Sequence, residues 1–343
     1  MSVYNPDFPY LTADIPPVTG LLRASPEDFA VDEVPAYPPS GQGDHLFVRF
    51  RKRGLTTKEA VRRIAVSLGV DPRAAGWAGL KDRHAVTTQW ASFEGASPDA
   101  ARAIALDDLE VIEVVPHRHK LRTGHLRANR FSLIIRGAGP AVDRVTAAMS
   151  RFTAAGVPNY YGEQRFGRDG DNVPRARRWL VDGGRAPRGR FERKLLVSAL
   201  QSALFNDVLA ARLADGLFEV PVPGDLMRRE ETGGLFVTAD LDEARARMAA
   251  WEISPTGPMF GTKMRSAEDE ARRREESVLA AAGLDASHLA RFGRAGEGAR
   301  RPLRVRPLDA TVTADGPDLR LAFELPAGAY ATAITREILK ERA

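Results

Sequence analysis

Asp82 stands in the stretch Gly79-Leu80-Lys81-Asp82-Arg83-His84-Ala85, with a cation on either side and a glycine that lets the backbone turn tightly. Nearby positive charge favours the anionic form of a carboxylate. Such a group can attack a sugar carbon covalently or take up a proton. Rival nucleophiles are few, because the chain has no cysteine and therefore no thiolate, disulfide or cysteine-ligated metal. His117, His119 and His125 suggest a metal site, but Arg118 and Lys120 lie among them and oppose a bound cation, so no metal is expected. The pairs Gly183-Gly184 and Gly233-Gly234 lack the strand-to-helix context of nucleotide loops and read as turns. By local rules alone an aspartate in a turn more often caps a backbone amide than does chemistry. The elements around it must therefore decide.

The chain has 343 residues, 43% hydrophobic and 28% charged, enough for a sizeable core and two domains. The best local signal is a helix after Gly54, with Thr56 as cap, Glu59 completing a capping box and Gly69 ending it. Ala60, Val61, Ile64, Ala65 and Leu68 form its apolar stripe. Strands are expected at His45 to Phe50, around Trp77-Ala78, and at Gln89 to Phe93, Val111 to Val115 and Phe131 to Ile135. A long helix is expected from about Glu192 to Gly216, with Leu195, Leu196, Leu200, Leu204 and Val208 at helical spacing. Pro221 to Asp225 is turn chemistry, and Lys263 to Glu276 is charged enough to be a solvated helix face or a mobile connection. A strand at Leu319 to Phe323 and a helix after Gly328 follow. Strands and helices mix without a regular alternation, which predicts an α+β fold with a mainly antiparallel central sheet.

Five stretches carry a resemblance to a known family. Gly79 to Ala85, read with Gln89, resembles the signature motif of the TruD family of tRNA pseudouridine synthases. Leu21 to Glu33 resembles that family's amino-terminal motif, and Leu126-Arg127-Ala128-Asn129-Arg130-Phe131 the segment with its substrate-binding asparagine. Pro158-Asn159-Tyr160-Tyr161-Gly162-Glu163-Gln164-Arg165-Phe166-Gly167 and Leu325 to Thr332 resemble two further motifs, in the expected order.

The resemblance implies Asp82 as the catalytic nucleophile, with Phe29, Asn129 and Tyr330 around the target base; many members have phenylalanine where this chain has Tyr330. Arg23 is the candidate cation to pair with Asp82, and Lys81 or Arg83 could serve instead. Arg23 and Lys81 are included among the substrate-binding residues. It also implies a discontinuous pseudouridine synthase catalytic domain, 1–156 and 305–343, interrupted by a family-specific inserted α/β domain at 157–304. The reaction breaks the glycosidic C–N bond of a uridine, turns the uracil and rejoins it through carbon, with no redox change, so no cofactor is expected; it needs a carboxylate to attack C1′ or C6 or to remove a sugar proton, three routes among which sequence does not choose. The uridine must leave the stack, where rings can sandwich it and an amide can read its edge. By family analogy the target is uridine 13 in the D arm of tRNA(Glu).

Lysine and arginine outnumber aspartate and glutamate by 50 to 45 and the isoelectric point is about 9.6, compatible with an RNA partner. Two basic stretches are candidates for it: Arg49, Arg51, Lys52, Arg53, Lys58, Arg62 and Arg63, then Arg118, Lys120, Arg122, Arg127 and Arg130. Met1 to Tyr10 shows no basic segment followed by an apolar run, and no stretch has the ~18 apolar residues of a membrane span. A cytoplasmic monomer acting on tRNA, away from any membrane, is the expectation. The rival classes are a non-catalytic RNA-binding or RNA-chaperone protein on the same scaffold, and a methyltransferase that would need an added methyl donor.

Overall fold

The computed structural model describes residues 7–167 and 170–340; Met1 to Pro6 of the opening segment read above lie outside them. The chain divides into two compact units. One comprises Pro17–Met149 and Pro307–Ala329, and the other the residues up to Pro16, Ser150–Arg306 and those from Tyr330 onward. The breaks between the units fall near 16, 149, 306 and 329. The two ends of the chain, however, pack with its middle. A buried carboxylate ties those ends together: Glu337 accepts from the backbone N–H groups of Leu11 (3.1 Å) and Thr12 (3.0 Å), and the Tyr10 hydroxyl donates to the Lys340 carbonyl at 3.0 Å.

In chain order the elements are β1 (Leu21–Leu22), β2 (Phe29–Pro35), β3 (His45–Arg53), α1 (Thr57–Ser67), β4 (Gly76–Trp77), β5 (Val86–Glu94), α2 (Pro98–Arg102), β6 (Leu109–His117), β7 (Leu126–Arg136) and α3 (Val142–Ala155). The second unit then supplies β8 (Val157–Pro158), α4 (Asn172–Leu180), α5 (Arg190–Ala214), β9 (Leu226–Arg229), β10 (Leu235–Val237), α6 (Leu241–Ala249), β11 (Ile253–Met259), α7 (Asp269–Ala281), α8 (Ala286–Ala290), β12 (Ala299–Pro302) and β13 (Arg304–Val305). The chain returns as β14 (Leu308–Asp315) and β15 (Asp318–Pro326) and ends on α9 (Ala331–Leu339).

The first unit is built on one sheet in the order β14-β15-β7-β2-β5-β3-β6, with β1 on β7 and β4 on β5. Among the described residues its pairings are antiparallel except β2 with β5, which run parallel with Val31 beside Thr87. That single parallel pair brings the start of β2 and the loop entering β5 to the same end of the two central strands. Alternation builds β3: Leu46, Val48 and Phe50 are buried together with Ala60, Val61, Ile64 and Ala65 of α1. Thr56 caps α1 as expected, its hydroxyl accepting from the Glu59 N–H at 3.2 Å, while the Glu59 carboxylate turns outward to Arg63 at 2.9 Å. Gly69 follows the helix at φ +68°, a conformation that suits glycine. At Gly76 an added Cβ would lie 2.2 Å from the Leu121 carbonyl oxygen, so only glycine lets β4 approach that close.

The second unit packs around α5. Leu196, Leu200, Leu204 and Val208 are buried against α4 residues Val173, Ala176 and Leu180, whereas Leu195, expected in the stripe, is exposed because it falls outside that face. Its sheet runs β10-β9-β11-β12. Arg212 of α5 and Asp225 form a buried pair at 2.6 Å, and the backbone N–H of Val222 also donates to Asp225. Replacing Phe50, fully buried between β3 and α1, is expected to destabilise the first unit most directly. Phe50→Ala should cost about 3–5 kcal/mol of unfolding free energy, read from urea denaturation followed by circular dichroism.

Candidate active site

Asp82 lies on the loop between β4 and β5, with its carboxylate held from two sides. Arg23 Nη1 donates to Oδ2 at 2.8 Å, and the His84 backbone N–H donates to Oδ1 at 3.0 Å. Arg23 takes an unusual backbone conformation to get there, at φ +63° without being glycine. Its guanidinium also lies over the ring of Phe29, 4.0 Å from the centroid. Of the three cations considered for Asp82, Arg23 is therefore the one that pairs with it. Arg83 donates instead to the Gly54 carbonyl at 2.9 Å.

Lys81 points inward. Its ammonium is 2.7 Å from the Glu33 carboxylate and donates to Asn129 Oδ1 at 2.7 Å. Glu33 and Asn129 face each other across the β2–β7 pairing, so Lys81 bridges two strands from below. Because Asn129 Oδ1 accepts from Lys81, the amide nitrogen is the end left to donate elsewhere. Phe29 is buried, edge-on to Phe131 at 6.2 Å, and Arg23 covers one face of its ring.

The loop is braced by groups to which the sequence analysis gave no such role. Lys52 Nζ donates to the backbone carbonyl of Asp82 at 2.7 Å. The Thr57 hydroxyl, at the start of α1, accepts from the Lys81 N–H at 2.8 Å and donates to Gln89 Oε1 at 3.0 Å. Signals for Lys52 and Glu33 were present: each sits at a buried position of an alternating strand, in line with Phe50 and with Val31 respectively. A charge at such a position demands a partner.

The first basic stretch is not the open cationic surface expected from composition. Lys52 is buried, and Arg49, Arg51, Arg53 and Arg63 pair with Asp32, Glu110, Glu27 and Glu59. In the second stretch Arg127 and Arg130 converge on Glu324. The histidines group around Tyr37: His117 stacks on its ring and accepts from the Ser40 N–H, and His125 Nδ1 is 2.7 Å from its hydroxyl. Burial holds the His117 imidazole below its ordinary pKa.

Tyr330 belongs to the second unit, where it precedes α9, is 40% exposed and lies 6.2 Å from Tyr161 between ring centroids. Arg301 covers the Tyr161 ring at 4.1 Å. The structure thus gathers Arg23, Phe29, Lys81, Asp82 and Asn129 around the loop between β4 and β5 in the first unit and sets Tyr330 beside Tyr161 in the second.

This is the fold of a crystal structure from Methanosarcina mazei assigned to TruD, with a TM-score of 0.75 at 22% identity, covering 97% of this chain and 96% of that one. The likeness fixes the α+β architecture of the chain. Sequence narrows it further: the model of the tRNA pseudouridine synthase D (TruD) family matches residues 7–182 and 191–338. A tRNA pseudouridine synthase D of Anaeromyxobacter sp. (strain Fw109-5) is 49% identical over 339 residues, 97% of this chain and 96% of its own length. One from Thermus thermophilus is 43% identical over 346 residues, 99% and 95% of the two lengths. The chain belongs to the TruD family.

Lys52 makes the site's support sensitive to pH. Burial pushes its ammonium down to about 8 from an ordinary 10.5, against the opposing pull of Asp82. Between those values the unfolded chain holds the proton and the folded chain does not, so stability rises with pH across that window; below it both states are charged. Relative to Lys52→Met, the wild-type protein should gain on the order of 2–3 kcal/mol between pH ~8 and ~10.5. Urea unfolding at pH 7, 8.5 and 10 measures the difference, and parallel curves for the two proteins would contradict it.

Proposed function

We propose that this protein is a tRNA pseudouridine synthase that isomerises uridine 13 in the D arm of tRNA(Glu), with Asp82 as the nucleophile. The observation that carries the reading is the hold on Asp82: Arg23 on one oxygen and a backbone N–H on the other, next to an asparagine whose amide direction is fixed by Lys81. A carboxylate has about four lone-pair sites, so two hydrogen bonds leave it able to meet the nucleoside. Arg23 orients the carboxylate and supplies the positive charge beside it. The amide nitrogen of Asn129 suits a carbonyl oxygen of uracil. Phe29 and Tyr330 are the rings proposed to stand around the extruded base, since stacking on an aromatic gains roughly 1–3 kcal/mol per base and offsets much of the unstacking cost.

Catalysis follows from charge placement. The bond from the sugar to uracil N1 breaks as the Asp82 carboxylate engages the nucleoside, the uracil turns, C5 bonds to the sugar carbon in place of N1 as the carboxylate is released, and C5 then loses its proton while N1 takes one up. No atom is added and no electron is removed from the system. The catalytic domain is proposed to be the discontinuous one, 1–156 and 305–343, around the inserted 157–304. The names of the relatives support tRNA as substrate, and the five motifs support the residue roles.

Asp82→Asn keeps the shape of the side chain and one of its two acceptor oxygens but removes the nucleophilic charge. Turnover should fall by at least about 10⁴-fold, the scale on which an essential nucleophile is missed, with folding and tRNA binding retained. Tritium release from C5-labelled uridine in tRNA(Glu) transcript measures turnover. Full activity in this variant would exclude Asp82 as nucleophile, and pseudouridine mapped elsewhere than position 13 would exclude the proposed target.

A further inference from the structure

The strongest unneutralised charge lies outside both basic stretches already described. Between α4 and α5 the chain reads Arg185-Ala186-Pro187-Arg188-Gly189-Arg190-Phe191-Glu192-Arg193-Lys194, five cations to one acid. The one carboxylate is taken by Arg175. Arg185, Arg188, Arg190, Arg193 and Lys194 are all exposed. Among the described residues none of the five pairs with a carboxylate, in contrast to Arg49, Arg51, Arg53 and Arg63. Arg193 braces the loop onto the helix by donating to the Pro187 carbonyl at 2.6 Å.

In the midst of these cations stands Phe191, 79% exposed, the most open large apolar side chain among the described residues. Lys194 and Leu195 lie three and four residues further along α5 and so share its side of the helix, and Leu195 is 38% exposed. Fully burying such a ring is worth about 1.5–3 kcal/mol, a gain this fold forgoes. The family model matches up to residue 182 and resumes at Phe191, so Arg185, Arg188 and Arg190 lie outside its match.

We propose that residues 185–194 form a second, non-catalytic RNA-binding surface, which seats an unpaired or looped strand of the substrate tRNA. Arg185, Arg188 and Arg190 take its phosphates and Phe191 stacks on one base. Arginine matches phosphate with a rigid, multi-donor fork, and an aromatic among cations is the arrangement that tracks single strands without reading sequence. An acidic protein would satisfy the charge but leaves the exposed ring unexplained. The proposal rests on tRNA being the substrate.

The test uses the full-length protein and an unmodified tRNA(Glu) transcript, with two variants whose altered side chains are exposed. The triple variant R185A/R188A/R190A should raise the Kd for the transcript about 10-fold near 0.1 M salt and lower the slope of log K against log salt by roughly 2–3, since each phosphate contact contributes about 0.7–0.9. In the pseudouridine assay the loss should appear in KM and close as tRNA is raised. Phe191→Ala should weaken binding by roughly 5-fold to 100-fold with the slope retained. Wild-type slope and Kd in the triple variant would overturn the surface, and so would lost affinity at unchanged slope. If the wild-type protein bound tRNA through these residues yet made no pseudouridine, the proposed function would fail and the surface would stand. If it made pseudouridine and both variants matched it in Kd, KM and slope, the surface would fail alone.

Discussion

The ion pair between Lys81 and Glu33, closed at 2.7 Å with both side chains almost wholly buried, is the contact on which the site depends. It pins the loop between β4 and β5 to the middle of β2 and sets the direction of the Asn129 amide. Buried pairs of this kind cost desolvation and are poor sources of net stability, but removal of one partner leaves an uncompensated charge at a cost of about 3–5 kcal/mol. What such a pair supplies is geometry. Lys81 can satisfy Glu33 and Asn129 together only if β2 and β7 keep their register and the loop keeps its path. Asp82, one residue further, inherits that position, and Lys52 and Thr57 fix the backbone on either side of it.

The sheet topology explains why a loop can be held so closely. Among the pairings of the first unit's sheet, β2 with β5 is the parallel one. It lets the amino-terminal motif around Arg23 and Phe29 and the loop entering β5 meet at one end of these strands, although the two are far apart in sequence. An antiparallel partner at that place would have sent one of the two segments to the far end of the sheet. Arg23 completes the meeting from a left-handed backbone conformation, a cost that persists where neighbours over-determine it. Here Phe29 and Asp82 both hold the guanidinium.

Elements with strong periodicity were legible in the sequence. The cap at Thr56, the stripe of α1, the strands around Phe50, Ala91, Val114 and Leu133 and the long helix α5 all occur where residue pattern placed them. β2 was not read as a strand, because Asp32 and Glu33 interrupt its apolar run, and the sheet of the second unit escaped for its Pro255, Pro258 and short strands. The Arg23–Asp82 pair was legible as one option among three, since sequence gives proximity along the chain but not which cation a fold turns inward. Lys52 illustrates the limit in the other direction. Counted with its neighbours it looked like part of an RNA surface, whereas the alternation Leu46, Val48, Phe50, Lys52 places it inside. Composition adds charges without regard to where they point. The fold neutralises most of the first basic stretch pair by pair and leaves Arg185 to Lys194 open.

Asp82 also shows that the plain and the functional readings of a residue need not compete. Local rules made it a turn aspartate capping a backbone amide, and it is one: Oδ1 accepts from the N–H two residues on. That hydrogen bond, with the one from Arg23, fixes both carboxylate oxygens in direction. A nucleophile that must meet a rotating base benefits from having no freedom of its own, because orientation set before the reaction need not be set during it. The turn is thus part of the proposed catalytic apparatus. The buried Lys81–Glu33 pair and the Lys52 amine serve the same end from beneath, in the backbone rather than in the carboxylate. The side chain proposed to meet the nucleoside is held at both oxygens, and the loop that carries it is held by charges that are almost wholly buried.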